Sequence, residues 1–569
     1  MSAAATTATA PETQPEKHSR ILEALRLDRK DVYALLALTA VAFVLRFFSP
    51  ILPDFFAHGI DSAPITNCVP NTPVDVKGHP GTLCGLAYPF TRGYPDQNKV
   101  LSPPEGEVFD EIYFAVDAHH DLKGFQDCTP KTKSCKWNYF DPEPPLGKAF
   151  IAGGEWLDGW YRATFEGAKG NIVELGFNTF GWRLATALFG MLCIPFMYLF
   201  ARRLWETNRF FAIAAGMLVL FDGLFFVESR VGKIDIFPIF FIIVSFYLFL
   251  AHIQSRSQKE SVITLFLLGT ALAAGIATKW IVLAAYATIL FFLVARVVRR
   301  HLDISVGTKA GEPMWSWGRG EGPAIAGGVY WPVYIPLALI ALVAIPLAVY
   351  WASWYPFFER GQFQTLSDMI KYNQDSYNYH AHLTATHPYG SAWYSWPFLY
   401  RPVFYYYETK GLGVDQFTNH PLVAGMWDLG NPWIWWSSIP CVLALPYYIF
   451  KHKSFPAAVI AVGFITQYLP WSRITRVIFL YHMFGALIFM VAALAFVLGQ
   501  LAASKNEVSI GGVTITGRNI AIGHLAIVVL FFLYFYPIWT ALPMSDAAYF
   551  PQEGASPIWG AKMWFPSWI

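Results

Sequence analysis

The sequence predicts an all-α polytopic membrane protein of about eleven transmembrane helices with two long external loops. Of its 569 residues, 55% are hydrophobic and 17% are aromatic, whereas only 14% are charged. An average soluble domain carries roughly 25% charged residues. Several apolar stretches, such as 32–48, 210–227 and 234–253, reach the roughly 20 residues that a helix needs to cross a bilayer. The net charge of +2 disfavours a nucleic-acid partner.

Charge and hydropathy together predict the topology. Residues 1–31 are rich in Ala, Thr, Pro and charge, which indicates a disordered tail rather than a cleavable signal. Basic residues just before the first span, including Arg26, Arg29 and Lys30, place this tail in the cytoplasm. An odd number of spans puts the tail 541–569 outside. The further predicted spans are 180–200, 210–227, 234–253, 262–278, 280–296, 331–352, 433–450, 455–470, 477–500 and 519–540.

The two predicted external loops cover residues 50–178 and 354–432 of a catalytic membrane domain that runs from 32 to 540. In the first loop, the stretch 154–161 has the pattern of an amphipathic helix lying along the interface. This loop also holds four of the six cysteines, and an oxidising compartment would favour two disulfides. Free thiols are the alternative, and zinc is disfavoured because no histidine shares their spacing. The cysteines are Cys68, Cys84, Cys128 and Cys135.

Ionisable residues near membrane depth gather at the external ends of the predicted spans. A proton or ion path would distribute them through the membrane instead. This clustering predicts an external active site. Its candidate members are Arg46, Asp110, Glu111, Lys148, Arg183, Arg230, Lys233, Asp235, Lys279, His387 and Arg401.

Asp110 and Glu111 form an acidic pair in an apolar and aromatic context. A carboxylate can accept the proton of a hydroxyl nucleophile, so this pair is a candidate for general-base chemistry. The alternative is a purely structural pair that caps the start of a helix.

Several cations could stabilise a phosphate leaving group in a partly desolvated site. Arg183 is the first candidate, because a charge at the start of a span is costly without a partner. Lys148 follows a proline-rich approach and could contact a phosphate as well. Two structural alternatives remain: Arg230 could pair with Asp235, and Lys279 could be an anchor at the interface.

These stretches occur in an order that resembles the dolichyl-phosphate-mannose protein O-mannosyltransferases. The resemblance covers most of residues 46–482 and is strongest to the compact bacterial members. The motifs are Asp110-Glu111, Pro144–Lys148, Trp182-Arg183-Leu184, Asp222–Asp235, Ala277–Trp280, His387–Ser391, Trp396-Pro397 and Arg401–Val403.

The resemblance implies a membrane-embedded glycosyltransferase C fold in the cytoplasmic membrane. It also implies inverting transfer of mannose from a polyprenyl-phosphate carrier to Ser or Thr hydroxyls of translocated proteins. In such an enzyme Asp110 would be the base, Glu111 would assist acceptor binding, and Arg183 would contact the donor phosphate with Lys148 and Lys279. No metal cofactor is expected. Supporting roles fall to Arg46, Glu143, Arg230, Asp235, His387 and Arg401.

Two departures from the family pattern stand out. The family usually has a histidine before the paired prolines, where this chain has Glu143, and the large soluble domain of eukaryotic relatives is missing from the second loop. One alternative function is transfer of another sugar from the same kind of carrier to a lipid or polysaccharide. A transporter is less favoured because no inverted repeat is visible.

Overall fold

The structure is a computed structural model. Helices form most of the residues that it describes. The four cysteines of the predicted disulfides and nearly all of the N-terminal tail lie outside the described residues, whereas Cys193 and Cys441 are buried free thiols. The structure describes Leu22, Val414 and Asp415 and the ranges 25–47, 108–123, 141–255, 257–301, 331–409, 418–505, 507–510, 513–542, 544–551 and 561–569.

Each of the eleven predicted spans coincides with a helix or a pair of consecutive helices. In the described ranges, 7 helices are long and apolar enough to cross a membrane. The helices are α1 (Arg29–Phe47), α2 (Glu111–Lys123), α3 (Leu146–Phe165), α4 (Ile172–Gly176), α5 (Thr179–Leu204), α6 (Arg209–Leu220), α7 (Gly223–Glu228), α8 (Ile236–Ile253), α9 (Gln258–Thr278), α10 (Val282–His301), α11 (Trp331–Leu339), α12 (Ile345–Ser353), α13 (Tyr355–Glu359), α14 (Leu366–His382), α15 (Pro432–His452), α16 (Phe455–Tyr468), α17 (Phe484–Ala503), α18 (Gly517–Thr540) and α19 (Asp546–Tyr549).

Helices α8 and α17 lie at the centre of the bundle. The apolar stretches around them are 78% and 72% buried within the protein. Helix α5 packs along α8 and also contacts α3, α6 and α1. By contrast, the span formed by α11 and α12 is only 11% buried, so its apolar side chains face outward. An apolar helix whose side chains are largely uncovered by protein is typical of a helix that faces lipid.

Polar residues begin several of these helices by accepting hydrogen bonds from free backbone N–H groups. Asp222 is the clearest case, because it caps α7 through the N–H of Phe225 at 3.1 Å. Its second oxygen accepts from the N–H of Asn431 at 3.1 Å and from the indole of Trp435 at 2.8 Å. Asp222 thus ends the predicted span 210–227 early and joins it to the start of α15.

A small antiparallel sheet covers one end of the bundle. It consists of β1 (Val403–Glu408), β2 (Leu422–Asp428) and β5 (Met544–Ser545) in the order β1-β2-β5. Val403 pairs with Asp428, and a bulge lies between Phe404 and Tyr406. This end is called the site end below. The hairpin of β3 (Glu507–Ile510) and β4 (Val513–Thr516) follows α17.

Helix α3 contains the stretch predicted as an amphipathic helix. Trp156, Leu157, Trp160 and Tyr161 are exposed on one face, whereas Glu155 and other residues of the opposite face are buried. Positions i, i+1, i+4 and i+5 share one face of a helix. The predicted helix is therefore present, with its aromatic face uncovered.

A π-helical turn, Ile340–Ala344, connects α11 and α12. Wider turns of this kind free backbone carbonyls and are often found near functional sites. Here the phenol of Tyr286 donates to the carbonyl of Leu342 at 2.7 Å. Gly269 of α9 lies so close that a Cβ at this position would be 1.8 Å from the Ala341 carbonyl. The turn and α9 are thus packed backbone to backbone.

Candidate active site

A cavity of about 470 Å³, called the principal pocket below, opens at the site end between α8, α10, α14, α16 and α17. Its two ends differ in chemistry. Apolar residues of the membrane helices, among them Pro238, Ile239, Ala284 and Phe484, line one end. Titratable side chains line the other: Glu143, Asp235, Lys279, His380, Arg473, Arg476 and His482.

Lys279 is the centre of an ion network in the polar end. Its ammonium lies 2.8 Å from Asp235 and 3.6 Å from Glu143, and the imidazole of His380 lies 3.9 Å from Glu143. Burial acts to raise the pKa of Asp235, but Lys279 and Lys233 outweigh it and hold that pKa below its usual range. Asp235 is therefore a fixed negative charge. Lys279, which the sequence predicted as a phosphate contact, does line this pocket.

Glu143 occupies the position at which the family usually has histidine. Burial raises the pKa of its carboxyl to about 7, and Lys279 opposes this rise. The pKa of the neighbouring His380 changes in the opposite direction. Burial, together with the positive charges of Arg476 and Lys279, lowers it to about 4. An imidazole therefore does lie beside Glu143, but it belongs to His380 of α14 and not to the residue before the paired prolines.

Arg473 and Arg476 line the pocket and were missed by the sequence analysis. Within the described residues, neither arginine forms an ion pair, so both cations remain open to a ligand. The sequence does contain a feature from which these two arginines could have been predicted as site residues. The predicted topology puts the short connection between 455–470 and 477–500 outside, where the positive-inside rule disfavours two arginines.

Asp110 lies beside the pocket, half-buried at the start of α2. The preceding Phe109 has a φ of 51°, a left-handed conformation that is costly for a bulky residue and marks a constrained site. Phe109 stacks on Tyr405 at 4.4 Å and meets the pocket residue Tyr481 at 6.4 Å. Burial raises the pKa of Asp110, with Lys233 as the main opposing charge.

Lys233 connects Asp110 with the pocket. Its ammonium is fully buried and lies 3.0 Å from Glu228 and 3.3 Å from Asp235. The rings of Tyr481, Tyr405 and Phe109 surround it at 4.1, 4.7 and 5.4 Å. Aromatic faces attract a desolvated cation. Lys233 therefore holds the loop before α8 against the segment that carries Asp110.

Glu111 and Arg183 do not face the pocket in this structure. Both side chains are fully buried, and two guanidinium nitrogens of Arg183 donate to the two carboxylate oxygens of Glu111 at 2.6 Å each. Glu111 also accepts from the N–H of Gly232 at 2.6 Å. A Cβ at Gly232 would be 2.7 Å from Trp182. This geometry favours a structural role for Arg183 and Glu111 over the phosphate contact predicted for Arg183.

Lys148 likewise faces away from the pocket. It is buried in an ion pair with Asp141, and Asp117 lies 3.9 Å from its ammonium. Asp141 is further tied to α14, because its N–H donates to the phenol of Tyr372 at 2.8 Å. The predicted phosphate contact of Lys148 therefore finds no geometric support, and the residue instead anchors the loop that presents Glu143.

Three other predicted site residues, Arg230, Arg46 and Arg401, contact protein groups and do not line the principal pocket. The suggested Arg230–Asp235 pair is not formed, since Asp235 pairs with Lys279 and Lys233 while Arg230 lies over the ring of Phe226 at 4.8 Å. Arg46 is fully buried near the same ring, at 5.8 Å. Arg401 donates to the main-chain oxygens of Ser567 and Ile569 at 2.7 Å each. The exposed His387 lies near enough to Asp110 to lower the pKa of that carboxyl.

No group of three or more His, Cys, Asp or Glu side chains in the described ranges is arranged to hold a metal ion.

The arrangement of helices matches a known fold. The chain superposes on the solved structure of the S. cerevisiae protein O-mannosyltransferase Pmt1-Pmt2 complex bound to the sugar donor, with a TM-score of 0.62 over 92% of each chain. The sequence identity of that pair is 13%. The chain therefore has the same membrane-embedded fold as that complex, and the predicted fold class is confirmed.

Sequence comparison narrows this class. Residues 136–360 match the dolichyl-phosphate-mannose-protein mannosyltransferase family, and residues 365–568 match the C-terminal four-span region of protein O-mannosyltransferases. The chain belongs to the protein O-mannosyltransferase family. It is 25% identical over 486 residues to the polyprenol-phosphate-mannose–protein mannosyltransferase of Mycobacterium tuberculosis, covering 75% of this chain and 80% of the relative. The Corynebacterium glutamicum protein of the same name is 25% identical over 470 residues, covering 75% and 81%.

Proposed function

We propose that this protein transfers mannose from a polyprenyl-phosphate carrier to Ser or Thr hydroxyls of translocated proteins, on the outer side of the cytoplasmic membrane. The names of the mycobacterial and corynebacterial relatives support the donor and the protein acceptor. The chemistry of the principal pocket supports the same substrates independently.

The observation that carries the proposal is the two-ended pocket. A polyprenyl-phosphate sugar has an apolar tail, an anionic phosphodiester and a neutral sugar. The tail fits the end lined by Pro238, Ile239 and Ala284, which belong to membrane helices. The phosphodiester fits the end that holds Lys279 and Arg476. Fixed cations in a partly desolvated site stabilise the charge that develops on a leaving phosphate.

In this assignment Lys279 and Arg476 hold the donor phosphate, with Arg473 nearer the surface. Arg476 is the stronger candidate for a direct contact, because a guanidinium meets two phosphate oxygens at once. Lys279 keeps its charge, since Asp235 and Glu143 overcome the effect of burial and raise its pKa. The carboxylates of Asp235 and Glu143 also hold the ammonium in place before the donor arrives.

Asp110 acts as the base in the proposed reaction. Its carboxylate has no hydrogen-bond partner among the described side chains, so it is free to accept from an incoming hydroxyl. The raised pKa makes it a better proton acceptor. The hydroxyl oxygen attacks C1 of mannose, its proton passes to Asp110, and the bond from C1 to the phosphate oxygen breaks. The electron pair of that bond leaves on the polyprenyl phosphate.

A transfer assay tests the proposal. Purified protein is incubated with radiolabelled polyprenyl-phosphate mannose and a Ser/Thr-rich peptide, and in parallel with lipid and polysaccharide acceptors. We expect label in the peptide alone. Label only in a lipid or polysaccharide would establish the alternative function, and no transfer to any acceptor would refute the proposal. Addition of EDTA to the active enzyme measures metal dependence directly.

A further inference from the structure

A second cavity of about 620 Å³ lies next to the principal pocket. It runs along one face of α14 and is called the α14 groove below. Its volume lies within the range of ligand sites in proteins. Trp280 and Tyr377 line both cavities, so ligands in the two cavities would meet at these side chains.

The α14 groove differs sharply from the principal pocket in charge. The described residues that line it include no Asp, Glu, Lys, Arg or His, whereas the neighbouring pocket contains several of these types. Side-chain amides take their place. Asn373, Gln374, Tyr377 and Asn378 occupy positions i, i+1, i+4 and i+5 and therefore share one face of α14.

Hydrogen bonds fix the inner wall of the groove and leave its rim open. The indole of Trp280 donates to the phenol of Tyr350 at 3.1 Å, and this phenol donates to the side-chain oxygen of Asn373 at 2.5 Å. The amides of Gln374 and Asn378 are exposed and make no side-chain hydrogen bond to any described residue. Each amide can donate and accept at the same time, which matches the N–H and C=O groups of an extended peptide.

We propose that the α14 groove binds the acceptor polypeptide as an uncharged, extended segment and delivers its hydroxyl residue past Trp280 and Tyr377 to the donor sugar. This inference rests on the proposed function and names the acceptor site. Gln374 and Asn378 hydrogen-bond to the peptide backbone, and the rings of Tyr377 and Trp280 pack on its side chains. A carboxylate or ammonium in the bound segment would be desolvated without a partner, so charged segments bind poorly.

The polyprenyl tail is a poorer occupant of this groove. An isoprenoid chain offers nothing to the exposed amides, and burying them against it would leave their hydrogen bonds unmade. The apolar end of the principal pocket, on α8 and α10, already gives the tail a path along membrane helices.

The test fills the groove without touching the pocket. Gln374→Trp and Asn378→Trp are measured for binding of a fluorescently labelled, uncharged Ser/Thr peptide and for binding of polyprenyl-phosphate mannose. We expect peptide affinity to fall about tenfold, as for the loss of one or two hydrogen bonds together with steric exclusion, and donor affinity to stay unchanged. Asp375→Trp is the matched control, because this exposed residue lies on another face of the same helix.

Each outcome decides the matter. Weaker donor binding with unchanged peptide binding would show that the groove holds the lipid tail and would overturn the proposal, as would no change in either. Should a tryptophan variant fail to fold, the double variant Gln374→Ala with Asn378→Ala repeats the test. Because peptide binding is read without turnover, a wild-type protein that binds the peptide but transfers no sugar would contradict the proposed function alone.

Discussion

Asp110 combines a raised pKa with a carboxylate that no described side chain engages. Asp110→Asn keeps the shape of the side chain but removes the proposed base, so we expect the rate of transfer to fall by ~10² or more. Donor affinity should change little, because the proposed phosphate contacts are Lys279 and Arg476. The measurement is single-turnover transfer of labelled mannose, with Asp375→Asn as the control. A near wild-type rate would move the role of base to another carboxylate.

Glu143 predicts a pH dependence of donor binding. Burial raises its pKa to about 7, against the opposing charge of Lys279. As the pH falls from about 8 to about 6, the carboxyl gains a proton and loses its negative charge, while the phosphodiester stays anionic. Donor affinity should therefore rise about three- to tenfold on acidification, or ~1 kcal/mol.

The variant Glu143→Gln separates this effect from other titrations. Its donor affinity should stay constant over the same pH range and match the value of the wild type at low pH. Glu166→Gln, a change at an exposed carboxylate of the segment after α3, should keep the wild-type dependence. The same pH response in Glu143→Gln as in the wild type would disprove the assignment.

The sequence shows which side chains carry charge but not which partners they meet. Lys279 lines the pocket as predicted, whereas Lys148 and Arg183 lie in buried ion pairs with Asp141 and Glu111. All three were cations near predicted span ends. Their partners come from distant segments, and only the packing of the helices decides which cation is paired and which faces a cavity.

A buried ion pair holds the start of helix α2. Arg183 of α5 holds Glu111 of α2, which also accepts from the loop before α8 through Gly232. Arg183→Lys keeps the charge but loses the planar fork, so one buried oxygen of Glu111 loses its charged donor and keeps only the backbone N–H of Val108 or Gly232. We expect the free energy of unfolding to fall by about 2 kcal/mol, with donor affinity retained in the folded fraction.

Thermal melting and donor titration of the same preparation check this prediction. Arg518→Lys serves as the control, because Arg518 is exposed at the start of α18. Reduced donor affinity at an unchanged melting temperature would restore the phosphate role that the sequence suggested for Arg183.

At the element scale, hydropathy predicted the long spans well and the interruptions poorly. The stretch 210–227 was predicted as one span, yet the chain forms α6 and α7 around the cap at Asp222. The polar helix α14 was not predicted, because it lacks an apolar run and is held by contacts such as that of Tyr372 with Asp141. Such elements depend on tertiary partners rather than on local pattern.

On the scale of the whole molecule, charge predicts the orientation in the membrane. Basic residues mark the end opposite the pocket, which the positive-inside rule assigns to the cytoplasm. They are Arg202, Arg209, Arg296, Lys451 and Arg518. We therefore expect the principal pocket and the segment 561–569 to face outward.

Cysteine labelling of intact cells checks this orientation. In a background without native cysteines, Ile569→Cys should react with a membrane-impermeant maleimide, whereas Lys505→Cys should react only after permeabilisation. Both positions are exposed in the structure. The reverse labelling pattern would show that the protein has the opposite orientation in the membrane, with the proposed site on the cytoplasmic side.

The π-helical turn Ile340–Ala344 changes the direction in which the side chains of α12 point around the helix axis. One residue more than an α-helical turn rotates everything after it by about 100° around the helix axis. Tyr350 of α12 lies beyond this turn, and its phenol joins Trp280 to Asn373. Deleting one residue from the turn would restore a regular helix of nearly the same length, yet it would swing Tyr350 away from the α14 groove. The angular position of that groove's inner wall is therefore set about two and a half helical turns before Tyr350, where the π-helical turn and α9 meet backbone to backbone at Ala341 and Gly269.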